Sequence, residues 1–322
     1  MNNTDFTVGA DPELVLVSPD KTLLKVRGVI PERGQFGVDG HGYIAELRPE
    51  PAIFPKDLTE NLRISLASQY HKLKKYKWRA GPWIQDKPLG GHIHFGLPME
   101  TAYTDALEKL MPIILALIEP SRAAKQRRTV PFYRGIPYGL LGDVRVKPYG
   151  WEWRVPSSFI VTPGITTGVL ALCKAFIFEE VVKGEFAFSK LSANVRKELN
   201  FTQQSFYQCN RKQFLKQLPP LWKIIKGLSY FQREGEGSTL WASVSYLRRF
   251  AIEKGGFFVP PDIKVKSKWA LEEIAPAIPT VRGPGPPAGG GAHIVELQVP
   301  RVQLNNLGDP DTLFTPDYIM EV

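Results

Sequence analysis

Four times in the first half of the chain, two strongly polar residues stand two positions apart: Asp11 and Glu13, Glu46 and Arg48, His92 and His94, Glu152 and Arg154. Residues i and i+2 of a β-strand share a face. If the four segments are strands of one sheet, one surface gathers four carboxylates, two imidazoles and two guanidiniums. That set suits divalent metal and phosphate and is unfit for a core. A solvated antiparallel face also carries charge, and any single pair is accounted for that way. Yet Asp and Glu are depleted in strands, and these pairs sit among the glycines and prolines of GADPEL, DGHGYIAELRPEP, GGHIHFG and PYGWEWRVPSSF, which let a backbone bend or a ligand approach. The four together favour a site.

The remaining pattern is α+β. Residues 6–96 read mainly as strands (FTVGADPELVLV, TLLKVRGVI, YIAELRP, GGHIHFGLP), interrupted by a helix over PKDLTENLRISLASQYHKLKK with Asp57 as its cap and Glu60 three residues on. TDALEKLMPIILALIEPSRAA and TPGITTGVLALCKAFIFEEVVKG are apolar nearly all round, which predicts two buried helices. Between them lies a basic, loop-rich stretch from Lys125 to Phe159. A polar helix is expected over Ser189–Leu199 and shorter helices to about residue 252. VRGPGPPAGGGAH holds too much Gly and Pro for regular structure, and HIVELQVPRVQL after it reads as one more strand. The expected division is a core over 1–190, a helical region over 191–262 completing the same domain, and an extension over 263–322 with the Gly/Pro-rich loop.

Composition narrows the function. Two cysteines, Cys173 and Cys209, provide neither a disulfide framework nor a thiolate zinc site. The absence of a leader-like start or of a run of about eighteen apolar residues points to a soluble, cytoplasmic protein without a membrane partner. The net charge of +9 favours an anionic partner, a nucleotide polyphosphate or an acidic polymer. There is no GxxxxGK[ST] loop, no GxGxxG opening a helix and no G-x-S-x-G elbow. What survives is nucleotide chemistry on an antiparallel sheet.

Mg²⁺ requires hard oxygen ligands from several segments, and Asp11, Glu13, Asp39, Glu46 and Glu152 supply them, with imidazole from the HIH pair completing a site. A transferring phosphoryl group is stabilised by guanidinium forks aimed at its oxygens. Arg145 and Arg154 bracket the PYGWEWR segment, and Arg122, Arg127, Arg128 and Arg134 precede it. Each of these reads singly as a surface charge, except Arg154, which stands two residues from Glu152.

GADPEL, D-x6-ELRPEP, GGHIHFG and YG-x2-GD-x-R-x-KPYG-x-EWR-x-PSSF occur in an order and spacing that resemble the phage and bacterial amidoligases of the COOH-NH2 ligase type 2 family, relatives of glutamate-cysteine ligase and glutamine synthetase. The resemblance spans roughly residues 6–160. It implies a glutamine-synthetase-like fold, an antiparallel sheet curved into a funnel with helices packed on its convex side. ATP and Mg²⁺ or Mn²⁺ would bind the concave face, and a carboxylate would be activated as an acyl phosphate and captured by an amine. Position by position, it puts Glu13, Asp39 and Glu46 at one metal and Asp11, His92 and Glu152 at the other. His94 would stand near the ATP phosphates, with Arg154 and Arg145 on the transferred phosphoryl and Arg134 also on the nucleotide side. Where related glutamate-cysteine ligases have Glu, this chain has the shorter Asp11. Arg48 receives no role.

The expected partners are a small-molecule or peptide carboxylate, acidic in view of the Arg122–Arg134 stretch, and an amine. The expected location is the cytoplasm, the host's if the chain is phage-encoded. The rival readings are a metal-dependent hydrolase or nuclease using the same carboxylates and histidines on water, and a non-catalytic phage protein associated with nucleic acid.

Overall fold

A computed structural model describes residues 5–40, 42–183, 191–232, 237–253, 269 and 271. All of them lie in the first of two compact units, Met1–Thr280. The Gly/Pro-rich segment and the HIVELQVPRVQL strand expected after it fall outside the described residues.

The chain forms β1 (Val8–Val17), β2 (Phe36–Val38), β3 (Ile44–Leu47), α1 (Pro55–Ala67), α2 (Tyr70–Leu73), β4 (Lys77–Arg79), β5 (Trp83–Ile84), β6 (Lys87–Pro88), β7 (Gly91–Phe95), α3 (Thr101–Ile118), α4 (Ser121–Thr129), β8 (Val144–Lys147), β9 (Gly150–Trp153) and α5 (Pro163–Lys183). Further helices follow, among them Arg211–Lys226 and Gly237–Glu253. Seven strands make one sheet in the order β2-β3-β1-β7-β9-β8, with β4 also on β1, and its strand pairs are antiparallel. The β5-β6 hairpin stands apart. Among the described residues no helix is long and apolar enough to cross a membrane.

Alternation sorts the two faces. Val8, Ala10, Leu14 and Leu16 of β1, Ala45 and Leu47 of β3, Ile93 and Phe95 of β7, and Trp151 and Trp153 of β9 enter one apolar core. That core also takes Leu58, Leu62 and Leu66 of α1, spaced for one helix face, and much of α3 and α5. The opposite face begins with a small apolar group, Val15, Ile44, Ile84 and Leu89, in which the β5-β6 hairpin joins β1 and β3. Beyond it the face is polar.

Three local expectations are corrected. TLLKVRGVI makes no strand: Leu23 and Arg27 form isolated bridges only, and the chain turns at Gly28, whose φ is 82°. The first helix starts at Pro55 in place of an Asp57 cap; Phe54 precedes it, and the ring of Pro55 presets the helical φ where no N–H is needed. KQRRT is helical, the C-terminal part of α4, and lies outside the loop expected for it. α3 carries Pro112 inside it and stops before Pro120, so the apolar run divides into two helices.

Candidate active site

The polar face is assembled by register. Glu13 is opposite Glu46, Asp11 opposite His92, His94 opposite Glu152, and Glu152 opposite Arg145. Facing residues of an antiparallel pair point the same way, so β3, β1, β7, β9 and β8 carry a continuous row of ionisable groups. Asp39 joins it just after β2, and Arg154 just after β9. A cleft of about 730 Å³ opens over the row, lined by Asp11, Glu13, Asp39, Glu46, His92 and Glu152. Arg134, Arg145 and Arg154 reach the same cleft. His94 does not line it; its Nε2 faces Asp11 at 3.1 Å and its Nδ1 contacts the Tyr149 hydroxyl at 2.7 Å.

Two groups can each offer a cation three ligand atoms lying within 4.8 Å of one another: Glu13, Asp39 and Glu46, and Asp11, Glu46 and His92. Glu46 belongs to both. Glu152 stands beside the second group, its Oε1 3.3 Å from His92 Nδ1. It is also held by cations, with Arg154 at 2.6 Å, Lys147 at 2.8 Å and Arg145 at 3.6 Å.

The donor set fits a hard divalent cation. Asp11 Oδ1 and His92 Nδ1 are buried and face each other at 3.1 Å without hydrogen-bond geometry between them. Buried polar atoms are rarely left so, and two acceptors pointing at one place are what a metal ion satisfies. Electrostatics agree. Burial, reinforced by Asp11, pushes Glu46 up to about 8, although Arg48 pairs with it. Burial and the nearby Asp39 also raise Glu13, against the pull of His92. Carboxylates crowded this way lack cations. Asp11 goes the other way, since its contacts with His92 and His94 outweigh its burial. So does Glu152, where Lys147 and His92 overcome burial.

Three further side chains stand in this site beside those the sequence assigned to metal and phosphate. The Tyr138 hydroxyl lies 2.6 Å from His92 Nε2 and donates to Glu13 Oε1 at 3.0 Å. Burial and the adjacent Glu13 raise its phenol well above the usual range, keeping it protonated. Lys147 and Tyr149 are the others. Lys147 carried the same signal as the four pairs, standing two residues from Arg145 on β8. Tyr138 and Tyr149 come from connections, where no periodicity points.

The basic stretch is also reassigned. Arg127 and Arg128 are 0% and 2% exposed. Arg127 donates to the carbonyls of Val155 and Pro156 at 2.8 and 2.9 Å, and Arg128 pairs with buried Glu119. They brace the fold and leave the cleft its own cations. Trp151 and Trp153 are wholly buried and so pack the core. Both cysteines are free and buried.

The profile of the family described as "Phage phiEco32-like COOH.NH2 ligase-type 2" matches residues 8–254. The chain belongs to this family. The matched span contains every residue of the cleft named above. No curated protein matches this chain in sequence. Solved structures resemble it at low identity, two of them as follows. One is a bifunctional glutathione synthetase from Pasteurella multocida, 13% identical with a TM-score of 0.45, covering 85% of this chain and 53% of its own. The other is a novel glutamine synthase homolog, 14% identical with a TM-score of 0.40, covering 84% of this chain and 72% of its own. The chain therefore spans about half the length of the first.

Proposed function

We propose that the protein is an ATP- and Mg²⁺-dependent carboxylate–amine ligase, with Mn²⁺ able to serve, that forms an amide or peptide bond through an acyl phosphate and releases ADP. The observation that carries this reading is the sharing of Glu46 by two carboxylate clusters in one cleft that also holds Arg145 and Arg154. A hydrolase site needs the clusters, whereas cations on the far side suit a transferring phosphoryl group. The sheet's curvature into a funnel, with helices on its convex side, is part of the same reading.

Glu13, Asp39 and Glu46 would hold one ion; Asp11, Glu46 and His92 would hold the other, with Glu152 alongside. Divalent metal bound there supplies charge neutralisation toward polyphosphate oxygens. The chain's own work is positioning. Arg154 and Arg145, both drawn toward Glu152, present guanidiniums where charge grows on the phosphoryl oxygens. Arg134 extends the positive rim on the nucleotide side. A substrate carboxylate oxygen attacks the γ-phosphorus as its bond to ADP breaks; the amine nitrogen then attacks the acyl carbon and phosphate leaves. His94, between Asp11 and Tyr149, fixes the Asp11 carboxylate from behind. The substrates belong to the class of small-molecule or peptide carboxylates and amines.

The test is incubation with Mg²⁺-ATP and a broad pool of amino acids and peptides. ADP and phosphate release that needs both a carboxylate and an amine is expected. AMP with pyrophosphate, or no nucleotide turnover across the pool, would overturn the acyl-phosphate reading, and hydrolysis without nucleotide would favour a metal hydrolase.

A further inference from the structure

The Tyr138 hydroxyl has one proton and two neighbours. It donates to Glu13 Oε1 at 3.0 Å. The other Glu13 oxygen accepts from the Gly90 N–H at 2.7 Å, so the carboxylate takes a hydrogen bond on each side. With its proton committed to Glu13, the Tyr138 oxygen can only accept from His92 Nε2, 2.6 Å away. Nε2 therefore carries a proton, and whenever the ring is neutral it is Nδ1 that is left with its lone pair. That atom is the one facing Asp11 at 3.1 Å with no hydrogen bond.

We infer that Tyr138 is a positioning residue for the metal centre: it sets the tautomer of His92 so that Nδ1 is the ligating atom, and through Glu13 it ties together one ligand from each of the two clusters. The inference rests on the metal sites of the proposed function, and on no step of the ligation. Histidines that ligate metal regularly fix their other nitrogen in this way. Here the fixing group comes from a connection, and the fold holds it on several sides. The Tyr138 N–H donates to the Arg127 carbonyl at 3.0 Å, and the Arg127 guanidinium lies 4.7 Å from the Tyr138 ring centroid. That guanidinium occupies the space a Cβ on Gly139 would need. Gly90 makes room on the other side, since a Cβ there would come within 2.5 Å of His92 Nε2 and 2.7 Å of the Tyr138 hydroxyl. Buried Arg127, one of the arginines that the sequence read as surface charge, thus becomes the support of the site.

The decisive experiment is a long-range ¹H–¹⁵N correlation spectrum of the histidine side chains in the metal-free full chain. His92 is expected with a protonated Nε2 and an unprotonated Nδ1, and the signal is assigned by its loss in His92→Gln. In Tyr138→Phe, which keeps the ring beneath Arg127, the tautomer preference is expected to relax. Mn²⁺ affinity, titrated without nucleotide, should weaken roughly 10- to 100-fold. A wild-type His92 protonated on Nδ1 would overturn the inference, and so would a folded Tyr138→Phe that binds Mn²⁺ as tightly as wild type. Should the variant fail to fold, the wild-type spectrum still decides. A protein that shows this tautomer and binds Mn²⁺ but never turns over ATP would reject the ligase mechanism and leave the Tyr138 assignment standing.

Discussion

Two carboxylate–guanidinium clusters, one built on Glu119 and one on Glu152, behave differently. Glu119 and Arg128 are 1% and 2% exposed; Glu119 accepts from Arg128 and from the Ser157 N–H at 3.2 Å, while Arg128 reaches Cys209 Sγ and lies over the Phe206 ring. That cluster is closed: Arg128 Nε is left without a hydrogen-bond partner, but neither residue lines the cleft. Glu152 is as deeply buried as Glu119, but two of its three cations, Arg145 and Arg154, line an open cleft and its histidine neighbour has a nitrogen without a hydrogen bond. Burial and charge do not separate the two. What separates them is whether polar atoms are left facing a space that a ligand can enter.

The sharpest way to break this contrast is a pair of matched neutralisations. Glu46→Gln removes the carboxylate common to both metal groups, and turnover should fall by roughly a thousandfold or more with the fold intact, read by ADP release and circular dichroism. Glu13→Gln should do the same. Glu119→Gln should do the reverse, costing about 3–5 kcal/mol of stability because Arg128 is left buried without its partner, while activity per folded molecule holds. Loss of activity without loss of stability in Glu119→Gln, or the opposite in Glu46→Gln, would erase the distinction.

The pH dependence sharpens it further. The Glu46 carboxyl is raised from its ordinary 4.5 to about 8, with burial the first cause. A raised folded-state value means that the folded protein holds the proton more tightly than the unfolded chain. The stability it contributes is full below about 4.5 and is lost as pH rises through about 8. In metal-free protein the stability should decline across that window by an amount on the order of a few kcal/mol, read as a falling melting temperature. Glu46→Gln should flatten the decline, and saturating Mg²⁺ should offset it by binding the ionised form. A flat wild-type profile would contradict the crowding of carboxylates described above.

Smaller effects follow. Gly90→Ala pushes a methyl group against His92 and Tyr138, so it should cost about 1–3 kcal/mol and weaken Mn²⁺ binding measured by titration. Arg48→Ala removes a half-exposed cation that pairs with Glu46 from the rim, and turnover should stay within about threefold, the scale of an exposed pair.

How much of this was legible follows from where each residue sits. Asp11, Glu13, Glu46, His92 and Glu152 are on strands, where period two fixes the face, and the register puts them side by side as that period requires. The buried helices α3 and α5 were visible as apolar runs long enough to exclude strands. Tyr138 was present in the YG that opens the longest motif, but its loop is shaped by Arg134, Gly135 and Gly139 at positive φ, and no pattern in the sequence reports where such a loop lands. Arg127 and Arg128 misled for a related reason. Three charges among four residues of KQRR look solvated until Glu119 and the Val155 and Pro156 carbonyls arrive from elsewhere in the chain to pair with them.

The central claim is that one sheet face holds two metal ions through a shared Glu46. Anomalous scattering from crystals grown with Mn²⁺ and a non-hydrolysable ATP analogue measures it directly. Two peaks are predicted, one among Glu13, Asp39 and Glu46 and the other among Asp11, Glu46 and His92, with the analogue's phosphates between them and Arg154. Bound analogue with no metal on this face, or metal at sites that exclude Glu46, would contradict the account.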